Sequence, residues 1–150
     1  MRTWLVNWNP AKYPWDDYLN GYNTLRGELA QQGWVYYKWT VGNTKSIHVG
    51  DRIFMLKQGA QPRGIVASGW AASDVLTGPH YDRNVRKQVR RIYIKFDRIL
   101  DVDTGEHLPL DVLKIAAPNY NWTPMSSGQS MPDNVSTVVE KLWAEFEVKS

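Results

Sequence analysis

The sequence predicts an α+β domain: a small, curved, mostly antiparallel barrel of about five to six strands flanked by helices. Short apolar runs with two-residue alternation outnumber the stretches with helical spacing, and they cluster between residues 34 and 100. Short turn signals join consecutive runs, at Val49-Gly50-Asp51-Arg52 and from Gly59 to Pro62, so neighbouring strands are expected to pair. Helical spacing is confined to residues 15–31 and 133–147, with a shorter stretch between them. At 150 residues, with 43% hydrophobic and 22% charged side chains, residues 1–150 read as one domain with a core of its own.

The elements follow in order. Residues 2–8, RTWLVNW, form the first strand, which Asn9-Pro10 ends. In residues 15–31, Leu19, Tyr22, Leu25 and Leu29 recur at helical spacing, with Gly33 as the stop. Asp16 and Asp17 at its start read as caps matched to the helix dipole. Residues 34–39 form the second strand, with Val35, Tyr37 and Trp39 on one face and Trp34, Tyr36 and Lys38 on the other. Ile53–Gln58 and Gly64–Trp70 are the next two strands; the small residues of the latter permit close approach of another chain or a ligand. Residues 74–89 read as loop. Arg91–Leu100 is a long strand with Ile92, Ile94 and Phe96 inward, and Asp103-Thr104-Gly105-Glu106 is a turn. Leu110–Ile115 reads as a short helix, and Ala116–Met131, rich in Pro, Asn and Ser, as irregular. Residues 133–147 form an amphipathic helix, with Asp133 or Asn134 as its cap.

Composition narrows the function. With 0 Cys, disulfides, thiol catalysis and Cys-based zinc sites are excluded, and a reducing cytoplasm fits. No apolar run approaches the ~20 residues of a membrane span, so no membrane partner is expected. The opening MRTWLVNWNP is too short and too polar after Val6 for a signal peptide. Aromatic usage is skewed, with 8 Trp and 8 Tyr against 3 Phe; Trp and Tyr keep a polar handle that suits rims and pocket walls. Net charge is +3, but seven Lys or Arg fall within residues 83–98 against the single acid Asp97. That stretch is a candidate polyanion surface on a mildly acidic body.

Catalytic signatures are missing. His48, His80 and His107 stand far apart in sequence, outside any metal-ligand spacing. There is no G-x-S-x-G elbow, and the glycines of Gly59–Gly69 lack the Lys-Ser/Thr ending of a phosphate loop. The chain reads as a binding domain that needs neither cofactor nor metal. Flat ligands, nucleobases above all, are held by stacking on rings plus hydrogen bonds at their edges. A ring beside small polar groups recurs at Trp39-Thr40 with Gly42 and Asn43, and at Trp122 followed by Met125, Ser127 and Gly128. Gln58 and Gly59 close the third strand.

The run WTVGNTKSIHVGDRIFMLKQGAQPRGIVASGWAAS, followed by HYD, YIKFDRIL and NWTPMSSGQS, resembles the EVE domain, most narrowly the version fused to HNH nucleases in modification-dependent restriction systems. The resemblance runs from Trp4 to the final helix and is most specific over Gly50–Gly69. It implies a PUA-like fold, distantly related to the YTH readers that seat methylated adenine in an aromatic cage. It further implies a reader that flips a modified cytosine, 5-methyl or 5-hydroxymethyl, out of double-stranded DNA. Trp39, Thr40, Gly42, Asn43, Gln58, Gly59, Trp122, Ser127 and Gly128 would form the pocket, with Trp8, His80, Tyr81 and Met125 at its rim. Arg83, Arg86, Lys87, Arg90, Arg91, Lys57 and Arg63 would grip the DNA backbone. The chain departs from relatives at Tyr81, where Trp is common, at Met125, where Gln is common, and at Thr40, where Ser is common. No HNH motif is present, so the chain is either a stand-alone reader or a domain of a longer nuclease, and any cleavage would fall to a covalently fused or partner HNH domain. An RNA-directed reader of a modified nucleotide is the alternative.

Overall fold

A computed structural model of the chain describes residues 1–80 and 87–146. Its elements are β1 (Thr3–Trp8), α1 (Tyr22–Gln32), β2 (Val35–Thr40), β3 (Arg52–Lys57), β4 (Gly64–Ala71), β5 (Leu76–Pro79), β6 (Gln88–Ile99), β7 (Leu108–Pro109), α2 (Leu110–Ala116), β8 (Gln129–Met131) and α3 (Asp133–Glu145). All strands belong to one mixed sheet, in the order β2-β6-β4-β3-β1-β8, with β5 added on β6 and β7 on β4. Only the β1–β3 pair is parallel among the described pairings. The α+β class is as expected. The additional strands are the short β5 and β8, which lie in stretches read as loop or irregular, and β7, between the expected turn and short helix.

Alternation along the strands sends side chains to two cores, one on each face. Trp4, Val6 and Trp8 of β1, Ile53 and Met55 of β3, and Ile92, Ile94 and Phe96 of β6 join the inner core, with Leu25 of α1. Leu5 of β1 and Phe54 and Leu56 of β3 join the outer core, with Leu113 of α2 and Val139 and Trp143 of α3. Residues buried on both faces explain why every position of β3 is buried.

Three local expectations are corrected. The first helix starts at Tyr22, not at residue 15. Trp15 instead turns its ring into the inner core, which puts its backbone at φ 50°. The expected dipole caps Asp16 and Asp17 therefore lie exposed in the loop before α1, where Asp17 Oδ1 accepts from the Leu19 N–H at 3.1 Å. Finally, α3 is preceded by Pro132, with Asp133 its first residue, so neither Asp133 nor Asn134 caps it.

The hydrogen-bonded path of the sheet is open between its two ends, β2 and β8. Its curl brings those ends together across a seam that side chains and loops close. Trp39 Nε1 of β2 donates to Asn7 O of β1 at 2.9 Å, and Thr44 Oγ1 donates to Gly128 O at 2.6 Å. Gly42 (φ 61°) and Gly128 (φ 88°) make the closest approach; a Cβ on Gly42 would stand 2.7 Å from Ser127 O.

Candidate functional site

The seam holds a cavity of about 490 Å³, within the range of about 300–1,000 Å³ usual for small-ligand sites. Every strand end that meets there contributes. Asn7 and Trp8 come from β1, Tyr13 from the following loop, Tyr37 to Thr40 from β2 and Gln58 from the end of β3. Pro79 ends β5 and His80 follows it, Arg91 comes from β6, and Met125 and Ser127 from the loop before β8.

Four of the lining residues, Trp8, Tyr13, Tyr37 and Trp39, are aromatic, and Trp15 packs behind them. Trp39 meets Trp15 at 4.8 Å between ring centroids and Tyr13 edge-on at 5.6 Å; Trp8 meets Trp15 edge-on at 5.4 Å. The rings are fixed at their polar ends as well: Trp8 Nε1 donates to Tyr13 O at 2.7 Å, and Trp15 Nε1 to Asn20 O at 2.9 Å. The hydroxyls of Tyr13 and Tyr37 hydrogen-bond each other. Burial, reinforced by that bond, pushes the Tyr37 phenol well above the usual tyrosine range, so it stays neutral.

Asn7 is the polar centre of the wall. Its side-chain Nδ2 donates to Ser126 O at 2.9 Å and to Pro124 O at 3.3 Å. Two carbonyls around one end of the amide fix which end is nitrogen. Its backbone N–H donates to Ser127 Oγ at 3.0 Å, and its backbone O accepts from Trp39. Its Oδ1 is buried and lacks a hydrogen-bond partner among the described residues. A buried acceptor left unpaired costs about 1–3 kcal/mol, and this one belongs to a residue that lines the cavity.

The structure gathers Trp39, Thr40, Gln58 and Ser127 around this cavity, together with Trp8, His80 and Met125 at its edges. Trp39 is also core, 6% exposed. Other expected residues lie elsewhere. Trp122 is buried in the outer core, on the other side of the sheet, where its Nε1 donates to Ala117 O. Gly42 and Gly128 hold the seam closed, Asn43 is an exposed neighbour of that clasp, and Gly59 packs against Asn9. Tyr81, Arg83 and Arg86 lie outside the described residues.

Of the remaining basic residues, Arg91 lines the cavity and donates to Pro79 O, Lys87 is exposed and Arg90 half-buried. Arg63 is exposed but its guanidinium donates to Gly59 O. Lys57 departs from its expected role on the DNA backbone. Its ammonium is turned into the following turn, donating to Pro62 O at 2.7 Å and Ala60 O at 3.1 Å. Burial, and then the nearby Arg63 charge, lower its pKa. Sequence reasoning missed Asn7, Tyr13 and Tyr37. Tyr37 had a signal, because it shares a strand face with Trp39; so had Asn7, a polar residue inside an apolar strand.

Known folds place the cavity in context. Neither a family model nor a curated protein matches the sequence. Solved structures do match. Human THYN1, in complex with DNA containing 5-methylcytosine, superposes with a TM-score of 0.66 at 15% identity, over 99% of this chain and 100% of that one. A hypothetical protein from Leishmania major matches with a TM-score of 0.66 at 14% identity, over 97% and 96%. A protein from Rhodopseudomonas palustris gives 0.59 at 18% identity, over 99% and 97%. The fold is theirs. The likeness spans the whole of each chain, so the open-seamed sheet with its helices is a shared architecture rather than a local coincidence. Among the described residues, no cluster of three or more His, Asp or Glu could hold a metal ion. No described helix is long and apolar enough to cross a membrane.

Proposed function

We propose that the chain is an EVE-type reader that takes a modified cytosine, 5-methyl or 5-hydroxymethyl, from double-stranded DNA into the seam cavity. The observation that carries the reading is the pairing of an aromatic wall with the unpartnered Asn7 Oδ1. A cytosine offers both complements: a flat face for the rings, and an exocyclic amino group to donate to the acceptor. Its 5-substituent would rest among aromatic surface, which favours added carbon and separates methyl from hydroxymethyl only weakly. A base inside a duplex cannot reach a wall of this kind, so the reading requires extrusion. Lys38 and Arg91 at the cavity would hold the flanking phosphates, and Lys87 and Arg90 would extend that grip. The fold shared with THYN1, whose structure contains 5-methylcytosine DNA, supports the reading. In this role the chain serves as the recognition module of a modification-dependent restriction system, and cleavage belongs to an HNH nuclease domain.

The test is a binding panel on one duplex with a single central cytosine, plain, 5-methylated or 5-hydroxymethylated, beside RNA of the same sequence. Modified DNA should bind more tightly than plain DNA, and more tightly still when the base opposite is mismatched, because unpairing then costs less. Equal affinity for plain and modified duplexes overturns the proposal. A clear preference for the modified RNA would replace it with the RNA-directed reading.

A further inference from the structure

The outer face of the sheet is covered unevenly. Over β1 and β3, Leu5, Phe54 and Leu56 pack under α2 and α3. Over β2, β6 and half of β4, large side chains stand in solvent. Trp34, Tyr36, Tyr93 and Trp70 are each 37–49% exposed, and Lys38 and Lys95 are exposed between them.

Their order is regular. Tyr36 on β2 lies opposite Lys95 on β6, Lys95 lies opposite Trp70 on β4, and Trp70 lies opposite Arg52 on β3. Partners directly opposite in a ladder point to the same face. One row across four strands therefore reads ring, cation, ring, cation. In the next row, Lys38 lies opposite Tyr93. Lys95 Nζ stands 5.7 Å from the Trp34 ring, and the Arg52 guanidinium 4.5 Å from the Trp70 ring. The row ends where α3 begins to cover the sheet, with Arg52 held by Glu140 and Asp97.

The chemistry of the face selects its occupant. A lipid partner would call for aliphatic surface, which these six positions lack, and the core of a protein interface is poor in lysine, whereas here two lysines stand between the rings. Rings with amphipathic faces, alternating with ammonium groups, match bases alternating with phosphates. The acid on this face, Asp97, is engaged by Arg52 and by the Ser68 hydroxyl, so the two lysines set the sign. The face is also continuous with the cavity: Lys38 lines the cavity itself, and Arg91, two residues before Tyr93 on β6, lines it too.

We propose that the exposed face of β2, β6 and β4 is a second nucleic-acid surface, a platform on which unpaired nucleotides of a single strand stack with little regard for sequence. It stands on its own observations and does not require the cavity to take a modified base. Stacking uses Tyr36, Tyr93, Trp70 and Trp34, and Lys38 and Lys95 meet the backbone.

The test uses the full chain and unmodified oligo-dT and oligo-U, which offer nothing modified for the cavity. Binding is read by quenching of tryptophan fluorescence and by anisotropy of a labelled strand. The wild type should bind, and the pair Tyr36→Thr, Tyr93→Thr should weaken binding about tenfold or more, since single rings in such sites are worth about that much. The substitution suits strands, so the melting temperature should hold. Lys95→Gln should lower the slope of log affinity against log salt by about 0.7. Comparison of dT with U tells which backbone is preferred; either preference supports the platform. Failure of the wild type to bind either strand overturns the proposal, as does unchanged binding by the double variant. Loss of oligonucleotide binding in Asn7→Ala overturns it too, because it moves the strand into the cavity. Preference for modified duplex DNA is measured separately and should survive the double Tyr variant.

Discussion

Asn7→Ala is the sharpest perturbation of the cavity, because the side chain holds one orphaned atom and one engaged one. In the unliganded protein the buried Oδ1 costs about 1–3 kcal/mol. A base donor that reaches it removes that cost. At about 1.4 kcal/mol per tenfold, the bond is worth about 5- to 150-fold in affinity. The same substitution deletes the Nδ2 bonds to Ser126 O and Pro124 O, at about 0.5–1.5 kcal/mol each. Relief of the orphan offsets much of that loss, so Asn7→Ala should melt close to the wild type.

The useful comparison for Asn7 is 5-methylcytosine against thymine. Both carry the 5-methyl group; they differ at C4, where one has an amino donor and the other a carbonyl acceptor. Each is placed opposite an abasic site, so that unpairing costs the same for both, and affinity is measured by anisotropy. The wild type should prefer 5-methylcytosine, since thymine would set oxygen against oxygen. Asn7→Ala should lose most of that preference. A variant that stays folded and keeps the full ratio refutes the assignment of Oδ1 as the base-reading acceptor.

Other expectations follow from the same geometry. Trp39→Ala should destabilise the fold by ~3–5 kcal/mol, because the ring is core as well as wall; an unchanged thermal melt would contradict that placement. Trp39→Phe should stay folded, losing the indole bond to Asn7 O, worth ~0.5–1.5 kcal/mol, and keeping part of the base discrimination. Met125 is fully exposed beside the cavity, on a loop whose carbonyls on either side of it are bonded to Asn7. In the proposed reading it would fill the gap that an extruded base leaves. Met125→Ala should weaken binding to modified duplex several-fold while leaving the same base in a single strand unaffected; equal losses on both would rule out that role. Asp51 sets an acid limit on stability. Burial alone would raise its carboxyl, but the backbone N–H groups of His48 and Arg2 and the Trp4 indole outweigh it and hold the pKa below the ordinary value. A depressed carboxyl stabilises the fold above about pH 3.9, and that contribution is lost as pH falls through the folded value. Asp51→Asn should therefore melt below the wild type at neutral pH, with the gap closing in acid.

The sequence carried the strands well and the contacts between distant strands poorly. Alternation placed Ile92, Ile94 and Phe96 on the inner face, where all three are buried. Gly42 and Gly128 show the other side. Small residues announce that something comes close, and a base was one candidate. What comes close is each other's backbone, across the seam, and no local pattern encodes a partner more than 80 residues away. The start of α1 fails for a related reason. Residues 15–21 have helical spacing, but burying the Trp15 ring among Trp8, Tyr37 and Trp39 outweighs local propensity. Asn7 stands in plain view inside RTWLVNW, yet only the curled sheet makes its oxygen an orphan.

The excess of Trp over Phe gains its physical reason from the two faces. Phe and Leu could fill both cores, but neither can donate a hydrogen bond. Each of the six buried indoles does so inside the protein. Trp4 donates to Asp51, Trp8 to Tyr13 O, Trp15 to Asn20 O, Trp39 to Asn7 O, Trp122 to Ala117 O and Trp143 to Ser68 Oγ. Several of these bonds tie a loop or helix to the sheet, and the Trp39 bond spans the open seam. Buried donors of this kind account for six of the 8 Trp and leave Trp34 and Trp70. Those two are exposed, and both stand on the ring-and-lysine face of the sheet. Their contacts are with the cations and ring beside them, Arg52 on Trp70 and Lys95 and Tyr36 on Trp34, and an aromatic surface kept in water in this way is what the proposed stacking platform would use.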